Sequence, residues 1–172
     1  MSRSSYDPNR RAWSDAFHPQ VKAILGQCFF TAAPPELDYK ENIDLMILRM
    51  TPNLAVAVRL RRWEQNQQYR DQLTIRSFSN GHETEFDKIQ RGKGMYFFYG
   101  FASNEIGGIV RWSIWNLDAF RSRISLLRPL DIKSNGDGTG FRAYRLSHLA
   151  AFEWNPIIYV ASDAITRCSI RL

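Results

Sequence analysis

A carboxylate inside an apolar strand costs free energy unless it meets a metal ion, a partner charge or water. Asp44 occupies such a run, NIDLMIL. A little further on, VAVRLRR alternates in type, which places Ala57, Arg59 and Arg61 on one face of a strand and Val56, Val58 and Leu60 on the other. An acid on one strand and arginines on the next, facing the same side, are the residue types that hold a metal ion and a phosphate together. The simpler alternatives are that Asp44 stands at the strand's first exposed turn and pairs with Arg59 or Arg61, or that this face is merely solvated. Arg62, Arg70 and Arg76 extend the positive charge, with Glu64 and Asp71 as the nearby acids. Arg59, Arg61, Arg62, Arg70 and Arg76 therefore form the principal candidate for phosphate contact. Trp63 and Tyr69 lie in the same stretch. They are candidates for stacking on unpaired bases, with packing in the core as the alternative.

The whole chain points the same way. It has 172 residues with Lys plus Arg at 23 against Asp plus Glu at 17, a net charge of +6. Lys22, Lys40, Lys88, Lys93 and Lys133 are the only lysines, so most of the positive charge is arginine, whose planar fork suits bidentate phosphate contacts. Cys28 and Cys168 are isolated from each other and from His18, His82 and His148, so zinc-ligand spacing is absent and the thiols read as ordinary buried side chains. GxxxxGK[ST], GxGxxG, HExxH and GxSxG are absent too, which lowers nucleotide-cradle, dinucleotide, zincin and triad-hydrolase chemistry. The polar start MSRSSYDPNRRAW and the lack of an apolar run of about 18 residues predict no secretory leader and no membrane span, hence a cytoplasmic protein.

The elements that would position these residues are legible in outline. Apolar spacing predicts one helix over Ser14 to Phe30, with Pro19 in its first turn, and Pro34-Pro35 open a loop. Ile43 to Met50 and Leu54 to Arg62, separated by Thr51, Pro52 and Asn53, predict a β-hairpin, and LTIRSF at 73–78 a third strand. A short helix is expected from Thr84 to Arg91, capped by Thr84 with Asp87 three residues on. MYFFYGFA and IVRWSIW around Gly107-Gly108 predict a second hairpin, then a helix capped by Asn116 or Asp118 and stopped by Pro129. SNGDGTG at 134–140 reads as a flexible loop bracketed by Arg121, Arg123, Arg128, Lys133, Arg142 and Arg145, a second basic patch. FRAYRLSHL is ordered but of unassigned type, and IIYVAS at 157–162 is a last strand. The expected architecture is a single α/β (α+β) domain over 1–172, with a mixed, largely antiparallel sheet flanked by helices. Within it, 1–35 form an N-terminal helix and linker, 36–126 the core and 127–172 a loop-rich C-terminal part.

A strand aspartate followed about a dozen residues later by a strand with a basic residue, after an initial helix, resembles the PD-(D/E)xK restriction-endonuclease-like core. The resemblance implies Mg²⁺ held by Asp44 and a second carboxylate, with a lysine near the attacking water. The matching tripeptide here is Ala57-Val58-Arg59, so alanine stands at the acidic position and arginine, which is no base at neutral pH, at the lysine position. Some members move the second acid to a nearby helix, which implies Glu85 with Lys88, and Asp38 as a further ligand. The succession DYKENIDLMIL, VAVRLRR, QLTIRS, TEFDKIQRGKG, YFFYGFA and WSIWNLDAFR, over roughly residues 36–123, is similar to a set of small uncharacterised phage and prophage proteins, which implies phage origin, a shared architecture and action in a bacterial cytoplasm. Three functions stay open. The first is a Mg²⁺-dependent nuclease in which Asp38, Asp44 and Glu85 hold metal while Arg59 and Lys88 orient the phosphate. The second is a catalytically inactive nucleic-acid-binding protein, DNA ranked ahead of RNA. The third is a structural or host-interaction protein whose basic surface meets an acidic phage or host protein or a second copy of the chain.

Overall fold

The computed structural model describes residues 8–32, 45–47, 55–65, 69–150 and 156–161. Among them the chain is mixed α+β, with antiparallel pairing predominating and helices flanking the sheets. It begins with two helices where one was expected, α1 (Pro8–Asp15) and α2 (His18–Phe29). The break follows from Pro19. Its ring would clash with the carbonyl four residues back, at Asp15, in a continuous helix, yet it is well tolerated inside the first turn of α2.

Among the described residues, the segments of the expected hairpin between 43–50 and 54–62 do not pair with each other. Instead β1 (Phe30–Ala32) pairs antiparallel with β2 (Leu45–Ile47), and β3 (Val56–Arg62) pairs in parallel with β5 (Tyr96–Ser103). A parallel pair needs a long crossover. Here it carries a 3₁₀ turn (Trp63–Gln65), β4 (Gln72–Ser79) and α3 (Glu85–Gln90). As expected, Thr84 caps α3 in a reciprocal box with Asp87: Asp87 N donates to Thr84 Oγ1 at 3.2 Å, and Thr84 N donates to Asp87 Oδ2 at 2.9 Å.

The second hairpin is present. β5 turns at Gly107, φ +75°, into β6 (Gly108–Asn116), and Asn116 caps α4 (Leu117–Arg123), which ends well before Pro129. SNGDGTG is a hairpin tip rather than a free loop, joining β7 (Asp131–Ser134) to β8 (Thr139–Arg145). The FRAYRLSHL stretch is the body of β8 followed by α5 (Leu146–Ala150), and β9 (Ile157–Ala161) closes the described chain. The four-stranded sheet runs β3-β5-β6-β9 and a three-stranded antiparallel sheet runs β4-β8-β7. No helix among the described residues is long and apolar enough to cross a membrane.

Every residue of β5 is buried, as its unbroken aromatic run requires of a central strand covered on both faces. Tyr96 and Phe98 pack with Ile114 and with Val21, Ile24 and Leu25 of α2. Phe97, Tyr99 and Phe101 face the larger cluster, with Trp115, Leu73 and Ile75 of β4, Phe86 and Ile89 of α3, Phe120 of α4 and Tyr144 of β8. The β7–β8 pair depends on a close approach at Gly140, where an added Cβ would lie 2.5 Å from the Lys133 carbonyl oxygen. Gly140→Ala must therefore move backbone. The expected cost is about 1–3 kcal/mol, seen as a lower urea midpoint at unchanged slope; an unchanged midpoint would refute the close approach.

Candidate nucleic-acid interface

The alternation in β3 has the predicted consequence. Val56, Val58 and Leu60 pack toward α2, whereas Ala57 packs on the larger cluster and Arg59 and Arg61 share its parity. On β4, Thr74 and Arg76 also share one face, and β3 and β4 are the edges of two different sheets rather than hydrogen-bonded neighbours. Where these edges meet α1, α3 and the β7–β8 tip, a cleft of about 980 Å³ opens, lined by Arg59, Arg61, Arg62, Arg76, Glu85 and Lys88 from the sequence-derived set. Arg10, Lys93, Glu83 and Asp137 complete its ionic lining, and Trp13, Tyr69 and Phe141 supply its aromatic side chains. Cations outnumber carboxylates there.

The arginines differ in depth. Arg61 is built into the walls: Nε and Nη2 donate to Thr74 Oγ1, Nη1 donates to Gln65 Oε1 at 3.3 Å, and Thr74 Oγ1 is 3.1 Å from the Tyr99 hydroxyl. Its guanidinium lies 4.7 Å from the Tyr69 ring centroid and 5.5 Å from that of Phe141, a cation–π clamp joining β3 to β8. Burial pushes its pKa down, and Arg59 adds to this by repulsion. Arg76 is pushed down as well, first by burial and then by Arg59, with Glu85 opposing. Both remain charged at neutral pH because guanidinium holds its proton far above it. Arg62 and Lys88 are exposed at the cleft's edge.

Glu85 is the local counter-charge. Its Oε2 accepts from Arg59 Nη1 at 2.8 Å and from the Arg76 backbone N–H at 3.2 Å, with both charged side chains under a quarter exposed. The capping box at Thr84 fixes α3 so that Glu85, its first residue, meets β3 and β4 together. This pairing decides how the described residues suit Mg²⁺. A carboxylate already engaged by a guanidinium and a backbone donor is a poor magnesium ligand. No group of three or more His, Cys, Asp or Glu suited to a metal occurs among the described residues. Asp38 and Asp44 lie outside those residues.

Other expected site residues are placed elsewhere. Trp63 packs on the larger core cluster and is not in the cleft lining; Tyr69 also packs on that cluster, with its ring edge-on to Phe141 at 6.0 Å, but it does line the cleft beside Arg61. Arg70 is exposed in the turn before β4 and outside the cleft lining. The second basic patch is dispersed: Arg121 pairs with Asp118 and donates to the Gly94 carbonyl, Arg142 lies 4.2 Å over Phe86, and Arg145 faces Asp71 at 3.8 Å. Sequence reasoning missed Arg10 and Trp13, although their i, i+3 spacing, with Ser14 at i+4, marks one face of a helix, and all three line the cleft. No family model, curated protein or solved structure matches the chain.

Proposed function

We propose that the chain binds the phosphate backbone of nucleic acid, DNA ahead of RNA, in the cleft between β3 and β4. The observation that carries this reading is the crowding of Arg59, Arg61 and Arg76, where burial and mutual repulsion destabilise like charges with Glu85 as their partial counter-ion. A polyanion entering the cleft relieves that repulsion and meets preorganised forks. Arg59 and Arg76 supply the charged contacts, and Arg61 holds the two sheet edges at the spacing those contacts need. Binding is expected to fall steeply with salt, because neutralised phosphates release counter-ions.

A second reading rests on Arg59, Glu85 and Lys88 lining one cleft: a restriction-endonuclease-like core that cleaves with Mg²⁺, Asp38 and Asp44 completing the acid set. One variant separates the two. Glu85→Gln keeps the acceptor for the Arg76 N–H and removes the negative charge. A charge pair about 4 Å apart is worth about 1 kcal/mol in water, so the variant is expected to bind DNA roughly 5-fold tighter while melting at lower temperature, as Arg59 loses its ionic partner. Fluorescence anisotropy with labelled DNA and RNA, in Mg²⁺ and in EDTA, reads affinity, and a gel of the same samples reads cleavage. Metal-dependent cleavage that Glu85→Gln abolishes would establish the nuclease instead, and no retention of either nucleic acid would remove both.

A further inference from the structure

We infer that the cleft takes a single strand rather than a duplex, and that Trp13 is the platform on which one of its bases stacks; this deepens the phosphate-binding reading and rests on it. The first argument is size and shape. At about 980 Å³ the cleft is at the upper end of a small-molecule pocket, room for a few nucleotides, and it is concave. A duplex keeps its bases paired and stacked inside, so it can offer such a cleft only its phosphates and no base to an aromatic side chain within it.

The second argument is elimination among the aromatics. Trp13, Tyr69 and Phe141 line the cleft. Tyr69 and Phe141 are committed to clamping the Arg61 guanidinium, and Phe141 is buried. Trp13 is half-buried on α1, and its orientation is set by an edge contact to Phe17, with centroids 5.2 Å apart at 64°. The group over its ring is the guanidinium of Arg62, 5.1 Å from the centroid. Arg62 is exposed at the end of β3 and belongs to neither core cluster, so a base that displaces its guanidinium leaves the core packing intact. A rigid indole with a movable planar cation above it, beside phosphate-binding arginines, is the arrangement that holds unpaired bases without regard to sequence.

The test compares three labelled probes on the whole chain at low salt: oligothymidylate of about twelve nucleotides, an abasic oligomer with the same phosphates, and the corresponding duplex. Oligothymidylate is expected to bind about 5-fold or more tighter than either other probe. Trp13→Ala is expected to bring it to the abasic level, and Trp13→Phe to retain most of the preference. Equal and appreciable binding of all three probes, or a preference for duplex, overturns the single-strand inference and leaves the cationic cleft standing. A thymidylate preference that survives Trp13→Ala overturns the role of Trp13. Failure of all three probes to bind removes the phosphate reading and this inference with it. The abasic comparison is made on the unaltered chain, so it decides even where Trp13→Ala fails to fold.

Discussion

Arg76→Glu is expected to lower the affinity for nucleic acid by about 100-fold or more at low salt. A hydrogen bond to a charged group contributes about 1.5–3 kcal/mol, so loss of a phosphate contact alone accounts for about 10- to 150-fold. The reversed charge adds repulsion in a partly desolvated cleft where it also faces Glu85. The contrast with Arg62→Glu is part of the prediction: that side chain is exposed at the edge, and its reversal is expected to cost much less. Titrations at several salt concentrations check it, since the gap between unaltered chain and Arg76→Glu must narrow as phosphate electrostatics are screened. An Arg76→Glu protein that is folded and binds within a few-fold of the original would show that the cleft is not where phosphate is held.

Trp115→Ala is expected to cause the largest loss of stability among single changes in the core. Trp115 is fully buried among the aromatics of β5 and α4, and its Nε1 donates to Ser113 Oγ at 2.8 Å. Emptying a buried tryptophan site costs about 3–5 kcal/mol, a large part of the 5–15 kcal/mol that typically separates folded from unfolded chains. Its neighbour Trp112, half-buried and stacked on Phe98 at 5.9 Å, is expected to cost less. Urea unfolding of both variants, followed by circular dichroism, gives the comparison. A loss under about 1 kcal/mol at Trp115 would mean that the site collapses to refill itself, contrary to the packing described.

What was legible in the sequence was what is decided locally. The Thr84 and Asn116 caps, the turn at Gly107 and the two-faced alternation of VAVRLRR all depend on residues within a few positions of one another, and each is found in the structure. Pairing of distant segments was not legible. Local spacing pairs Leu54–Arg62 with Ile43–Met50, whereas the register of Val56–Arg62 with Tyr96–Ser103 places it parallel to a strand beyond an intervening strand and helix. The candidate site shows the same division. The arginines could be counted in the sequence, but not that Arg61 spends its donors on Thr74 and Gln65, or that Glu85 sits against Arg59, 26 residues away. Trp63 attracted attention because it adjoins the arginines in the chain. Trp13 takes its place at the cleft because α1 is brought there by tertiary packing.

The strand order also bears on when the protein acquires its charge-bearing surface during synthesis. Each of the two strands that carry the arginines is made before the strand it pairs with: β3 waits for Tyr96–Ser103, and β4 for Thr139–Arg145. Pairings so separated in sequence form slowly, and translation delivers only about 5–20 residues per second. A nascent chain that ends before Thr139 therefore carries the cations of the cleft without the second sheet that holds β4 opposite β3. The arginines of β3 and β4 are therefore set opposite one another only after Thr139–Arg145 has emerged and paired with β4.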